Sequence, residues 1–289
     1  MTPQTAFIQL LNGLTLGVMY VIIAAGLSLI FGLMEIINFA HGALYMLGAY
    51  FGLTLFQLTG SFWLSLAVAP LIVGSIGMLL ERFTFRPLYG RNPLYQILLT
   101  FGLVLIINNA AELFWGTSYH IFPRPAELQG VVPFLGIAYS KYRLFVLGIG
   151  AAISVLFWFM LKRTRLGLII RAGTHDRQIA GAFGIDISKY FTLVFGFGVA
   201  LAAVAGVVLS PIVSVNPQMG DGIIITAFVV VIVGGLGSLP GAILAGLLIG
   251  VLESFSKIVF PAFTDATMYI VMALVLLLWP QGLLGSEEL

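Results

Sequence analysis

Charge is missing from this chain in long blocks, and that absence constrains its fold more than any motif does. No Asp, Glu, Lys or Arg precedes Glu35, and none occurs in 36–80, 92–111, 144–161, 190–220, 222–252 or 266–286. A helix rises about 1.5 Å per residue and the hydrocarbon layer is about 30 Å thick, so a span needs about 20 mainly apolar residues. Seven such windows have no reading as the core of a water-soluble domain. Charged residues make up 8% of the 289, against about 25% in an ordinary soluble domain, too few to cover a surface of that size. Barrel strands would be roughly ten-residue alternating segments, which these runs are not. The expected fold is all-α: a polytopic transmembrane helical bundle of eight or nine spans, some of them broken, filling 1–289 as a single membrane domain.

The spans are expected at 7–32, 42–59, 62–80, 94–115, 144–161, 191–213, 222–239, 241–256 and 266–280, with 222–256 either two spans or a broken pair. Met1–Asn12 holds no Lys or Arg, unlike the start of a cleavable signal peptide, so the first run reads as a retained span. Short loops rich in Lys and Arg face the cytoplasm. Residues 81–93 carry Arg82, Arg86 and Arg91, and 162–190 carry Lys162, Arg163, Arg165, Arg171, Arg177 and Lys189, together nine of the 13 basic residues. Two spans separate these loops, which puts both on one side. The loop 116–143 then faces outward, the N-terminus is external, and Glu287, Glu288 and Leu289 are internal. A net charge of +2 gives no argument for nucleic acid.

Two interruptions stand out. Glu35-Ile36-Ile37-Asn38-Phe39-Ala40-His41-Gly42 breaks the longest apolar stretch of the N-terminal half with a carboxylate, an amide and an imidazole. Polar groups at membrane depth are costly and face a cavity or a partner, which makes Asn38 and His41 candidates to line a polar route. An ordinary short cytoplasmic loop is the competing reading, and Glu35 belongs at the water interface in either. The second interruption is Gly234-Gly235-Leu236-Gly237-Ser238-Leu239-Pro240-Gly241. It lacks the βαβ setting of a dinucleotide-binding loop and reads instead as a helix that stops and restarts. Such backbone is tolerated only when buried in protein or lining water. Its freed groups could guide a polar solute, or it could be a cytoplasmic hairpin. Gly42-Ala43 leading to Gly48 and Gly52 is echoed by Gly241-Ala242 leading to Gly246 and Gly250, a faint repeat of the kind that points to a central transporter site. These pairs, and Gly13 with Gly17, also suit close helix packing.

Within the second basic loop, Thr174 or Asp176 can cap a short helix in which Ile179, Ala182 and Phe183 share a face, and Gly184 suits its stop. That face would dock on a partner protein or lie on lipid. Catalytic patterns are missing. His41, His120 and His175 are far apart, no Cys occurs, and there is no HExxH, no G-x-S-x-G elbow and no Walker A motif. Neither a metal nor a cofactor is expected, and ATP-driven work would need a separate motor subunit.

Gly26-Leu27-Ser28-Leu29-Ile30-Phe31-Gly32, Asn38-Phe39-Ala40-His41-Gly42 and Met46-Leu47-Gly48-Ala49-Tyr50 resemble the opening signature of LivH-type permeases of branched-chain amino acid ABC transporters. The segment from Arg171 to Ile185 and the stretch Gly234–Ala242 match that family in the same order. The resemblance runs from about residue 10 to residue 285. It implies a non-catalytic, multi-pass permease of the bacterial inner membrane, paired with a homologous second permease. Two cytoplasmic ATP-binding subunits and a periplasmic substrate-binding protein would complete the importer. It implies that residues 174–184 form a coupling helix, with Arg171, Asp176, Ile179, Ala180, Phe183 and Gly184 at the ATPase. Asn38, His41, Gly42, Gly234, Gly235 and Gly237 would line the substrate pathway. The implied cargo is a hydrophobic or branched-chain amino acid. Urea or a short amide is the alternative within the family, and a passive channel is the alternative outside it.

Overall fold

Residues 2–134, 136–175 and 186–285 are described by a computed structural model. The helices are α1 (Pro3–Met34), α2 (Ala40–Thr59), α3 (Phe62–Leu80), α4 (Pro93–Trp115), α5 (Lys141–Arg163), α6 (Arg165–His175), α7 (Ile187–Leu209), α8 (Met219–Gly234), α9 (Leu239–Val259) and α10 (Thr264–Leu278). Each of the nine apolar runs read from the sequence holds a helix, although the runs 191–213, 222–239 and 266–280 extend past helices that end at Leu209, Gly234 and Leu278. Among the described residues, seven helical segments are long and apolar enough to cross a membrane, and α8 is a shorter apolar helix of 16 residues. At about 1.5 Å per residue α8 is roughly 24 Å long, less than the hydrocarbon thickness. The open question over 222–256 resolves into two helices with four non-helical residues, Gly235–Ser238, between them.

Two differences from the sequence reading are physical. The loop 116–143 contains an antiparallel hairpin of β1 (Val131–Phe134) and β2 (Ile137–Ser140), with Gly136 at φ 83° in its turn. Helicity in the second basic loop begins at Arg165, because Leu166, Ile169 and Ile170 recur at helical spacing upstream of the expected cap. Thr174 therefore lies inside the last turn of α6 and does not open a helix. Asp176, the other expected cap, lies outside the described residues.

The chain divides into two compact units. The first comprises Met1–Ala25, Arg124–Val155 and Ile225–Leu289. Within it, α1 and α9 approach until backbones touch: a Cβ on Gly13 would lie 2.6 Å from Val251 Cα, and one on Gly17 would lie 2.8 Å from Leu247 Cα. Tyr20 donates to Glu253 at 2.6 Å, and Lys257 pairs with the same carboxylate at 2.8 Å. The hairpin is tied to α1 through Asn12, whose Oδ1 accepts from Tyr139 at 3.1 Å and from Arg143.

The second unit comprises Gly26–Pro123 and Leu156–Ile224. Its core is α2, α3 and α7, packed through small residues. A Cβ on Gly48 would lie 2.6 Å from Ala203 O, and one on Gly77 would lie 2.9 Å from Val199 Cβ. Close approach of this kind replaces the missing hydrophobic drive between helices in lipid. His120 and Val215 exchange backbone hydrogen bonds at 2.9 Å, so the loops following α4 and α7 lie on one face of the bundle.

Candidate functional site

The first interruption is built from the end of α1 and the start of α2, both within the second unit. Glu35 ends α1 at φ 55°, a left-handed conformation usually left to glycine, and its side chain is exposed. The chain then turns through Ile36, Ile37 and Asn38, and Phe39 stacks on Phe101 of α4 at 4.7 Å. Phe39 occupies the N-cap position of α2, so no side-chain oxygen caps that helix. Asn38 and His41 are both fully buried. Neither amide atom of the Asn38 side chain has a hydrogen-bond partner among the described residues. Leaving a buried polar group unsatisfied costs about 1–3 kcal/mol, and native proteins rarely leave one so. The His41 ring has room because α1 carries Gly26 there: a Cβ would lie 3.2 Å from its Cε1. A Cβ on Gly42 would run into the carbonyl of Gly220 at the start of α8. Asn38, His41 and Gly42 are thus brought together in one buried polar turn.

The second interruption belongs to the first unit and uses other chemistry. Gly235 and Gly237 have φ of 101° and 76°. Ser238 caps α9, its Oγ accepting from the Gly241 amide at 3.2 Å, and Pro240 stands in the first turn where its missing N–H costs nothing. The carbonyls freed at the end of α8 are occupied: Leu283 N–H donates to Val233 O at 2.8 Å and Leu284 N–H to Gly234 O at 3.1 Å. Gly234, Gly235 and Gly237 therefore allow a tight turn that the chain itself satisfies.

Set beside known proteins, the sequence matches the family described as branched-chain amino acid transport system / permease component over residues 9–279. The chain belongs to this family. It is 34% identical to the high-affinity branched-chain amino acid transport system permease protein BraD of Pseudomonas aeruginosa, covering 97% of this chain and 96% of that one. It is 30% identical to LivH of Escherichia coli over the same shares, 97% and 96%. LivM of Escherichia coli is 26% identical, with 93% of this chain and 68% of that one covered. Among solved structures, PsaBC from Streptococcus pneumoniae in complex with Fab superposes with a TM-score of 0.51 at 14% identity, covering 92% of this chain and 89% of that one. That likeness is one of fold. The chain is a multi-pass membrane permease.

Of the coupling residues expected for such a permease, Arg171 is exposed on α6 and donates to the carbonyl of Leu161. Asp176, Ile179, Ala180, Phe183 and Gly184 lie outside the described residues. Just after them, Asp186 pairs with Lys189 at 3.0 Å, and that hydrogen bond holds its carboxyl below the usual range.

Sequence reasoning missed Glu81, whose side chain is fully buried in the permease. Its Oε1 accepts from Tyr89 and its Oε2 from Thr192, each at 2.5 Å, and Arg86 stands 3.5 Å from Oε2. Arg86 also donates to Thr192 Oγ1 at 2.6 Å and to Ser188 O at 3.0 Å. This network joins 81–89, in the first basic loop, to 188–192 at the start of α7. No sequence signal marks it, since Thr192 is 111 positions from Glu81. Ser28 and Tyr50 were passed over as well; both hydroxyls are buried without a partner among the described residues.

Proposed function

We propose that this permease is the membrane-spanning subunit of an ATP-driven importer that passes a branched-chain or similar hydrophobic amino acid. The observation that carries the site assignment is the Asn38 side chain, fully buried with both amide atoms unpartnered among the described residues. A polar partner met in the working cycle would relieve the cost of such burial, and a passing ammonium or carboxylate group supplies one. His41 and Gly42 share that turn and complete the polar part of the route. Gly234, Gly235 and Gly237 are proposed to shape the pathway without binding cargo, since their break bends the chain while the carbonyls of Val233 and Gly234 are taken up within it. Residues 1–289 act as one permease domain. The cargo follows from what BraD and LivH are named for.

The remaining partners follow the same reading. Similarity to both LivH and LivM supports a pair of homologous permeases. Two cytoplasmic ATP-binding subunits would seat on residues 174–184 and perform all the hydrolysis, and a periplasmic binding protein would deliver cargo. The basic loops 81–93 and 162–190 would face the cytoplasm of a bacterial inner membrane. Expression together with the neighbouring subunits tests this directly. The permease should co-purify with the ATPases, and proteoliposomes should take up labelled leucine only with ATP and binding protein present. Uptake of urea but not leucine would reassign the cargo, and a homo-oligomer conducting without ATP would make it a channel.

A further inference from the structure

The Glu81 network sits at the start of the helix that follows residues 174–184 in sequence. Helix α7 begins at Ile187, immediately after them, and its first two turns are gripped along one face. Ser188, Phe191, Thr192 and Phe195 are spaced i, i+3, i+4 and i+7, and each meets the segment following α3. Ser188 and Thr192 bond Arg86, Thr192 bonds Glu81, and the Tyr89 ring meets Phe191 edge-on at 5.4 Å. The fully buried ring of Phe85 lies 4.9 Å from that of Phe195. Glu81–Phe85 is itself a π-helical turn, a geometry that recurs at functional positions.

Further along, the α3–α7 seam is lined with glycine. A Cβ on Gly74 would lie 3.0 Å from Gly196 O, and one on Gly77 would lie 2.9 Å from Val199 Cβ. Glycine brings two backbones together but offers no side chain to interlock, so such a seam alone resists separation better than sliding. Hydrogen bonds are directional and resist both. Apolar side chains of similar size would hold the two ends together with less desolvation cost than a buried carboxylate. What the carboxylate adds is a fixed register between α3 and α7. On its other side α7 meets α2 at Gly48–Ala203 and Gly206–Tyr45, so α2, the helix of His41, is packed backbone to backbone against it.

We propose that the Glu81–Thr192–Tyr89–Arg86 clasp is the joint that makes α3 and α7 move as one lever, passing displacement of residues 174–184 to α2 and its polar turn. Glu81 is then a positioning residue for transport. This rests on reading 174–184 as the ATPase-docking segment. The clasp stops α7 from slipping along its glycine seam, and without it motor strokes are absorbed at the seam.

The test uses the assembled importer in proteoliposomes, with leucine as the cargo probe, and measures uptake and ATP hydrolysis together. Glu81→Ala and Thr192→Val should keep the motor bound and its hydrolysis stimulated by leucine-loaded binding protein. Leucine taken up per ATP should fall by roughly fivefold or more, the scale of an ordinary coupling free energy. Glu81→Gln, which retains an acceptor for Tyr89, should recover most of that ratio. An unchanged ratio in Glu81→Ala overturns the joint, as does a parallel loss of uptake and hydrolysis, which marks a role in folding alone. Should Glu81→Ala fail to reach the membrane, the pair Glu81→Cys with Thr192→Cys decides, since the chain has no other cysteine. Bridging the two with a short bifunctional thiol reagent should preserve uptake per ATP, and arrest on bridging means the clasp must open and is no joint. Phe183→Asp runs beside these variants. If it leaves motor binding and stimulation normal, the docking assignment fails; if it uncouples while the clasp variants do not, only the clasp fails.

Discussion

Between α1 and α2 the chain turns through Glu35–Phe39, and between α8 and α9 it turns through Gly235–Ser238. Both breaks lead into helices that carry Gly-Ala in the first turn and continue with spaced glycines. The first does it with side chains that carry polar groups, one residue in a left-handed conformation and no cap. It leaves the Asn38 side-chain amide without a partner among the described residues. The second does it with glycine at the left-handed positions, a serine cap, and carbonyls closed by Leu283 and Leu284. Two helix breaks of similar outline thus separate by a simple criterion, namely whether the buried polar groups are satisfied within the fold. The unsatisfied one is where a passing solute has something to gain.

The largest expected effect comes from Asn38→Leu. Replacing an unsatisfied buried amide by an apolar group of similar size should leave the melting temperature unchanged or raised. Leucine uptake should nonetheless disappear. A variant that melts lower and transports normally per folded molecule would place Asn38 with the structural break. Gly235→Ala should behave in the opposite sense. Its φ of 101° is strained for any side chain, and the added Cβ would lie 2.5 Å from the Gly285 amide nitrogen. A loss of about 1–3 kcal/mol is expected, read as a lower melting temperature, with uptake per surviving molecule intact. If instead uptake fell at unchanged stability, the second break would join the first as a functional site. The smallest effect is that of Ser238→Ala, which removes one cap and should cost about 1 kcal/mol, seen as a shift of a few degrees in thermal unfolding. No measurable shift would mean that α9 takes its start from packing alone.

The spans were legible because hydrocarbon tolerates so little: each charge-free run had to be mainly helical, and each is. Asn38 and His41 were legible for the same reason, as polar residues interrupting a run that had no need of them. The hairpin at 131–140 was hidden because an outward loop was judged by its charges, while the Gly136 turn went unread. Glu81 was hidden more deeply. On the sequence it is one carboxylate among basic loop residues, and only tertiary folding brings Thr192 and Tyr89 to it. The helix α6 went unread because 162–190 was read as a basic loop, although Leu166, Ile169 and Ile170 recur there at amphipathic spacing.

The short length of α8 has a practical side. A helix of 16 residues is shorter than the hydrocarbon layer is thick, and a bare carbonyl in a medium of low dielectric constant has no solvent to turn to. The amides of Leu283 and Leu284 insulate the C-terminal end of α8. Residues near the end of a domain are ordinarily the safe place to trim or to attach a reporter. Here an affinity tag or fluorescent fusion that pulls on 283–285 would strip the insulation from α8, and labels for this permease belong on the exposed loop 116–119 instead.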